Sequence, residues 1–216
     1  MYELGGSFGS VAVEPGTNLL VTGPPMTGKR TLAYEALATG SRQDEGAVIV
    51  TTKDDAESVI DEYERRDIPE DSLVGVIDCV TRQQGMSGVQ DEEFVRYASS
   101  PVDLTGIGIE LSELLRAFYQ EHDVRRNRIL LYSISTLLMY SDLQTVFRFL
   151  HVFTGRIQSA DALGLFIIDS TTHDEQELST LKQLFDGVIE VEEADDGTRR
   201  HRLAGIDDID AEWVEA

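Results

Sequence analysis

Residues 23–29 read Gly-Pro-Pro-Met-Thr-Gly-Lys and stand between an apolar, β-branched run, Asn18 to Thr22, and a helix-favouring run, Thr31 to Ala38. This junction restricts the fold more than any other stretch. A glycine-rich turn that passes from a buried strand straight into a helix belongs to a parallel sheet covered by helices. The residues match the first seven positions of GxxxxGK[ST]. Small residues let the backbone wrap an anion, successive N–H groups point inward, and a helix beginning at Lys29 adds the positive end of its dipole. A plain strand-to-helix turn would account for the glycines and prolines but not for a lysine at this place. The phosphate-binding candidates are Gly23, Pro24, Pro25, Met26, Thr27, Gly28, Lys29, Arg30 and Thr31, with Lys29 on the terminal phosphates and ATP as the expected ligand.

Strand and helix patterns alternate through the rest of the chain. Ala47 to Thr51, Val74 to Ile77, Arg128 to Tyr132 and Leu163 to Ile168 read as buried strands. Helical stripes follow at Ala56, Val59, Ile60 and Tyr63, at Leu111, Leu114, Leu115 and Phe118, and at Leu143, Val146, Phe147, Leu150 and Phe153, the last with Ser141 or Asp142 as N-cap. Leu178, Leu181 and Phe185 mark a further helix. Val188 to Val191 and Arg200 to Leu203 flank Asp196-Gly197, a dipeptide that favours hairpin turns. Gln83 to Ser100 is polar and glycine-containing, and is read as a mobile loop. The expected fold class is therefore α/β, a mainly parallel twisted sheet flanked by helices with a C-terminal antiparallel hairpin. One domain over 1–205 is followed by an acidic tail, 206–216, in which Trp213 is the one anchor-like side chain.

Charge narrows the function classes. The 216 residues carry 40 acidic and 18 basic side chains, a net charge of -22, with lysines only at 29, 53 and 182. Such a surface repels nucleic-acid backbones except at local basic patches, so nucleic acid is an unlikely partner class. Acidic residues spread along the whole chain fit the surface chemistry of a halophilic host. Apolar runs such as Leu165 to Ile168 fall far short of the roughly 20 residues that span a bilayer, so no membrane partner is expected. A single cysteine, Cys79, excludes an internal disulfide framework and fits a reducing cytoplasm, where it reads as a small apolar strand residue.

The eighth loop position departs from the pattern. Arg30 replaces the hydroxyl that coordinates Mg²⁺, and a guanidinium has only donors. Thr31 is one residue late and about 100° further round the helix. Either Arg30 offsets phosphate charge in place of the metal, or the site has drifted toward weak binding.

With the loop placed, the order of segments from Gly5 to Leu203 resembles the RecA/RadA and KaiC-like ATPases. Leu4-Gly5-Gly6 and Pro15-Gly16-Thr17 look like the family's opening hairpin, Val48 to Thr52 followed by Lys53-Asp54-Asp55 like its second strand and catalytic acidic pair, and Arg128 to Ser135 like its Walker B strand. The resemblance implies a RecA-like fold, ATP as cofactor, and a homo-oligomer or a RecA-like paralogue as partner. It also exposes further departures. Tyr132 stands where the Walker B aspartate would hold the Mg²⁺ water shell, and Lys53 stands at one of the acidic positions. Asp54 and Asp55 are the remaining candidate general bases, and both also suit a helix N-cap. Asp169, Ser170 or Thr171 would take the sensor-like place at the end of the next strand, and His173 beyond it reads as a solvated loop residue. No metal-ligand set is assigned, and the Mg²⁺ requirement is left open.

Arg199, Arg200, His201 and Arg202 form a dense basic run on the C-terminal hairpin, suited to a neighbouring subunit's nucleotide, to an acidic partner surface, or to protecting an edge strand. The expected function is a KaiC-type regulatory ATP-binding protein with weak or absent hydrolysis. Two alternatives stay open: an active recombinase-like DNA-dependent ATPase, and a nucleotide-free scaffold that pairs with an active paralogue.

Overall fold

The computed structural model describes residues 1–83, 85, 93–206, 209 and 212–215. Strands β1 (Tyr2–Glu3) and β2 (Ala12–Val13) form a small antiparallel hairpin around a 3-10 turn at Gly6–Phe8. The main sheet contains β3 (Asn18–Gly23), β4 (Gly46–Thr51), β5 (Val74–Asp78), β6 (Val95–Tyr97), β7 (Asn127–Tyr132), β8 (Leu163–Asp169), β9 (Gly187–Glu193), β10 (Arg199–Ala204) and β11 (Val214–Glu215). Its helices are α1 (Lys29–Ser41), α2 (Ala56–Glu64), α3 (Leu104–His122), α4 (Ile134–Tyr140), α5 (Leu143–Ser159) and α6 (Glu175–Lys182). The strand order is β11-β10-β9-β3-β8-β7-β4-β5-β6, parallel from β9 through β6, with β10 and β11 antiparallel at the other edge.

Helices cover both faces, which is why the central strands are mostly apolar and buried along their length rather than alternating. Every residue of β3 and β4 is buried. One core layer joins α1 and α2 to the sheet through Leu32, Leu37, Val59 and Tyr63. The opposite layer packs α3, α4, α5 and α6 through Leu111, Phe118, Leu137, Leu150, Phe153 and Leu181. Helix α1 is buried nearly all round because β1 and the 3-10 turn lie over it while the sheet lies beneath.

An internal ion pair ties these layers together. Arg128 of β7 is fully buried and donates to Glu45 at 2.6 Å and to the carbonyls of Glu3 and Ala36 at 2.6 and 2.5 Å. Arg126 donates to the other oxygen of Glu45 at 2.7 Å. Gly40 makes room for this group: a Cβ there would lie 2.3 Å from the Arg128 Nε.

Side-chain caps set the helix starts. Asp55, Asp103, Ser133, Asp142 and Asp174 each accept an N–H from their own first turn, so Asp142, not Ser141, caps α5. Helix α1 begins at Lys29 and runs past Ala38 to Ser41, longer than the run read from sequence, because tertiary cover compensates for Gly40. Within the polar stretch 83–100, Val95–Tyr97 pairs with β5 as an edge strand, while residues 84 and 86–92 of that loop lie outside the described residues. Of the C-terminal tail, Val214–Glu215 pairs with β10, and Trp213 lies against the guanidinium groups of Arg200 and Arg202.

Candidate functional site

Parallel pairing brings the carboxyl ends of β3, β8, β7 and β4 to one edge of the sheet, where ligands of open α/β sheets bind. The register places Gly23 opposite Asp169, Tyr132 opposite Ile167, and Thr51 opposite Tyr132. Segments far apart in sequence therefore open onto one cavity of about 330 Å³, lined by Pro25, Met26, Gly28, Lys29, Arg30, Thr31, Lys53, Tyr132, Ile167, Asp169 and Arg199.

The loop wraps tightly. Gly23 is sterically required, since a Cβ there would lie 2.1 Å from the carbonyl oxygen of Val191 on β9. Gly28 ends the loop in the left-handed region at φ +94° and leads into α1. The Thr27 hydroxyl donates to the Pro24 carbonyl at 2.8 Å, and Met26 stands at the tip, 88% exposed. Lys29 is buried and folds back into the loop, donating to the Gly23 and Pro24 carbonyls at 2.8 and 2.5 Å. Its third partner is Asp169, whose carboxylate lies 2.8 Å away. Asp169, the sensor-like candidate, is thus the counter-ion of the loop lysine.

Arg30 does not point freely into the cavity. Its guanidinium donates to Asp54 at 2.6 Å, is ion-paired with Glu62 of α2, and reaches the Tyr34 hydroxyl at 3.3 Å. It also lies 5.0 Å from the ring centroid of Tyr132 and 5.2 Å from that of Tyr34. Burial opposes the guanidinium's charge, yet Tyr34, Glu62 and Asp54 outweigh it and hold Arg30 more firmly protonated than usual. Burial pushes the Tyr34 phenol up to about 12, against the lowering pull of Arg30, so it stays neutral. Asp54, one candidate general base, is consumed by this ion pair. Asp55, the other, accepts the Ser58 N–H at 2.9 Å as the cap of α2, and that bond holds its carboxyl below the usual range.

At the position after Lys29, where the phosphate-loop pattern has a hydroxyl, the structure has the Arg30 guanidinium. Tyr132 offers its ring to Arg30 and to Lys53, whose Nζ lies 5.9 Å from the ring centroid. Among the described residues no group of three or more His, Cys, Asp or Glu could hold a metal ion.

The basic run on β10 is divided by strand alternation. Arg200 and Arg202 donate to Glu192 and Glu190, each at 2.7 Å, and His201 turns inward against Phe8 with ring centroids 4.3 Å apart. Only Arg199 faces the cavity, with its Cδ 3.7 Å from where a Gly28 Cβ would be.

Several site residues escaped the sequence reading. His173, read as a solvated loop residue, is largely buried and lies 3.0 Å from the Ser135 hydroxyl, which in turn accepts the Asp169 N–H at 2.9 Å. The Asp174–Glu177 capping box turns the chain into α6 and sets Glu177 3.6 Å from the imidazole. Glu62 gave no sequence signal, because its meeting with Arg30 depends on how α2 lies beside α1. Tyr34 had one, standing four residues after Arg30 on the same helix face. Asp78, fully buried at the end of β5, accepts from the N–H groups of Ala56, Val80 and Thr81 and from the Thr81 hydroxyl at 2.7–2.9 Å, and so fixes the start of α2.

A model of the family of unknown function DUF7504 matches residues 16–191. No curated protein matches the chain. Among solved structures, the chain is similar to the KaiC-like protein PH0186 of the hyperthermophilic archaeon Pyrococcus horikoshii OT3, with a TM-score of 0.67 and 14% identity over 95% of this chain and 87% of that one. The likeness establishes a KaiC/RecA-like fold, and no described helix is long and apolar enough to cross a membrane.

Proposed function

The chain belongs to the DUF7504 family, and from that premise we propose that it binds ATP at Gly23 to Thr31 as a conformational ligand, with slow or absent hydrolysis, in a regulatory role. The observation that carries the reading is the Arg30 cluster. The loop keeps its lysine and its anion-facing turn, while the group at the Mg²⁺ position is a guanidinium whose charge is spent on Asp54 and Glu62. Water activation at the γ-phosphate needs a free base and a metal to neutralise developing charge. In this site Asp54 is paired, Asp55 caps a helix, and the Tyr132 ring faces the Arg30 guanidinium. The reading extends to a cytoplasmic protein of a halophilic host, with residues 1–205 as its nucleotide-binding domain, 206–216 as an acidic tail, and a second copy or a RecA-like paralogue as partner. A charge of -22 makes nucleic acid a poor candidate for that partner.

Calorimetric titration with ATP at high KCl tests the reading: wild type gives a saturable isotherm that Lys29→Ala abolishes, with phosphate release near background. Rapid turnover by the wild type would sink the claim of a binding-only site. A second reading, the nucleotide-free scaffold, draws on the Lys29–Asp169 pair, in which the loop lysine is already neutralised by its own chain. Absence of both binding heat and a thermal shift in the wild type would select it.

A further inference from the structure

The cavity at the loop is lined by four cations, and they are not equivalent. Lys29 is balanced by Asp169, and Arg30 is balanced by Asp54 and Glu62. Lys53 and Arg199 have no carboxylate partner among the described residues, although the chain carries 40 acidic residues against 18 basic ones. In so acidic a chain, cations facing one concave space without counter-ions call for an anion from outside.

Their placement says which anion. Lys53 comes from the loop after β4 and stands over the Tyr132 ring, so the residue that replaced the metal-shell carboxylate serves as its platform. Arg199 comes from the opposite edge of the sheet, two residues after Gly197, and its stem lies against Gly28 at the start of α1. Arg199 also lines a second cavity of about 290 Å³ against the loop, together with Ser7, Gly28, Leu32, Glu35 and Arg66. It therefore borders two cavities that both meet the loop.

We propose that Lys53 and Arg199 form a metal-free clamp for the terminal phosphates of a nucleoside triphosphate, supplying in cis the two positive charges that a divalent cation would bring. The clamp rests on the nucleotide-binding reading above and adds to it that Mg²⁺ is dispensable and that this chain's own hairpin, not a neighbouring subunit, contributes the arginine. Arg199 suits the task because its planar donors grip phosphate oxygens in pairs, whereas Lys53 acts as a point charge. No bond is made or broken.

The test is calorimetry with ATP, ADP, AMP and inorganic triphosphate, in EDTA and in Mg²⁺, at one fixed KCl concentration. Wild type is expected to bind ATP and triphosphate as well in EDTA as in Mg²⁺. Arg199→Ala and Lys53→Ala should each weaken both ligands about tenfold, weaken ADP less, and leave AMP unchanged, with Arg199→Lys intermediate. Both residues are exposed, and an unchanged melting temperature confirms that the variants fold. The clamp is overturned if Lys29→Ala abolishes binding while Arg199→Ala and Lys53→Ala do not alter it, or if wild type needs Mg²⁺; in either case nucleotide binding itself survives. A wild type that binds none of the four ligands removes both.

Discussion

Replacing Asp169 by Asn should tighten ATP binding rather than weaken it. In the free protein Lys29 is held by the Asp169 carboxylate at 2.8 Å as well as by two loop carbonyls. A phosphate entering the cavity must share or displace that carboxylate and also approach its charge. The Lys29 side chain is 5% exposed and that of Asp169 33%, so the pair lies between a surface ion pair of about 0.2–1 kcal/mol and a charge-assisted hydrogen bond of about 1.5–3 kcal/mol. A coupling of about 1–2 kcal/mol follows, and with about 1.4 kcal/mol for each tenfold step in affinity it predicts roughly 5- to 30-fold tighter binding. The amide keeps the shape and still reaches Lys29 through its oxygen, so the loop is not expected to collapse. Removing the same pair should lower the free protein's stability by a similar amount, which urea denaturation reads independently. Weaker ATP binding by Asp169→Asn, in Mg²⁺ and in EDTA alike, would refute the claim that Asp169 competes with ligand for Lys29. Weakening in Mg²⁺ alone would instead make Asp169 a metal-shell residue and refute the metal-free site.

Three further outcomes follow from the fold. Glu45→Ala leaves the fully buried Arg128 without its carboxylate and should cost about 3–5 kcal/mol in urea denaturation, with Glu45→Gln costing less; a loss below about 1 kcal/mol would mean that the Glu3 and Ala36 carbonyls satisfy the arginine unaided. Burial lowers the pKa of His201, so the unfolded chain takes up its proton first: the stability tied to this residue is present above about pH 6.5 and is lost as pH falls below it. Between pH 7.5 and 5.5 His201→Phe should therefore lose less melting temperature than wild type, and parallel curves would contradict the assignment. Burial, with Asp78 and Asp103 nearby, pushes the Cys79 thiol far up, so a thiol reagent should leave it unmodified in the native state and react fully in urea.

The sequence disclosed what depends on local pattern. The phosphate-loop turn, the α/β order and the C-terminal hairpin were legible because strand–turn–helix signals and an Asp-Gly dipeptide act within a few residues. Chain order also located Lys53, Arg30 and Tyr132 as departures. Their consequence was not legible. Glu62 and Asp54 meet Arg30 only because α2 lies beside α1, and Asp169 meets Lys29 because β8 pairs with β3 in a register that sets Asp169 opposite Gly23. His173 was misjudged for a related reason: its burial is set by the cap of α6 and by Ser135 on another segment. The run Arg199 to Arg202 looked like one basic patch, but strand alternation sends its members to different faces.

Arg30 is also expected to affect binding without touching phosphate. With Asp54 and with Glu62, which also lies 3.6 Å from Arg66, it forms a group of two positive and two negative charges, and with Lys29, Asp169, Lys53 and Arg199 the site totals five cations against three carboxylates. Removing Arg30 halves the surplus of two positive charges and leaves Asp54 without its partner beside the cavity, while Glu62 keeps only Arg66. Arg30→Thr alone should therefore weaken ATP binding in EDTA, because the uncovered Asp54 repels phosphate, and restore it in Mg²⁺, because the new hydroxyl and the freed Asp54 supply oxygen ligands that suit a hard cation. Hydrolysis should remain near background in this variant, since Tyr132 at the end of β7 brings no carboxylate to the cavity. The measurement is one pair of isotherms. If Arg30→Thr binds ATP in EDTA as tightly as wild type, the Arg30 cluster contributes nothing to the electrostatics of the site, and the guanidinium is a structural tie between α1 and α2.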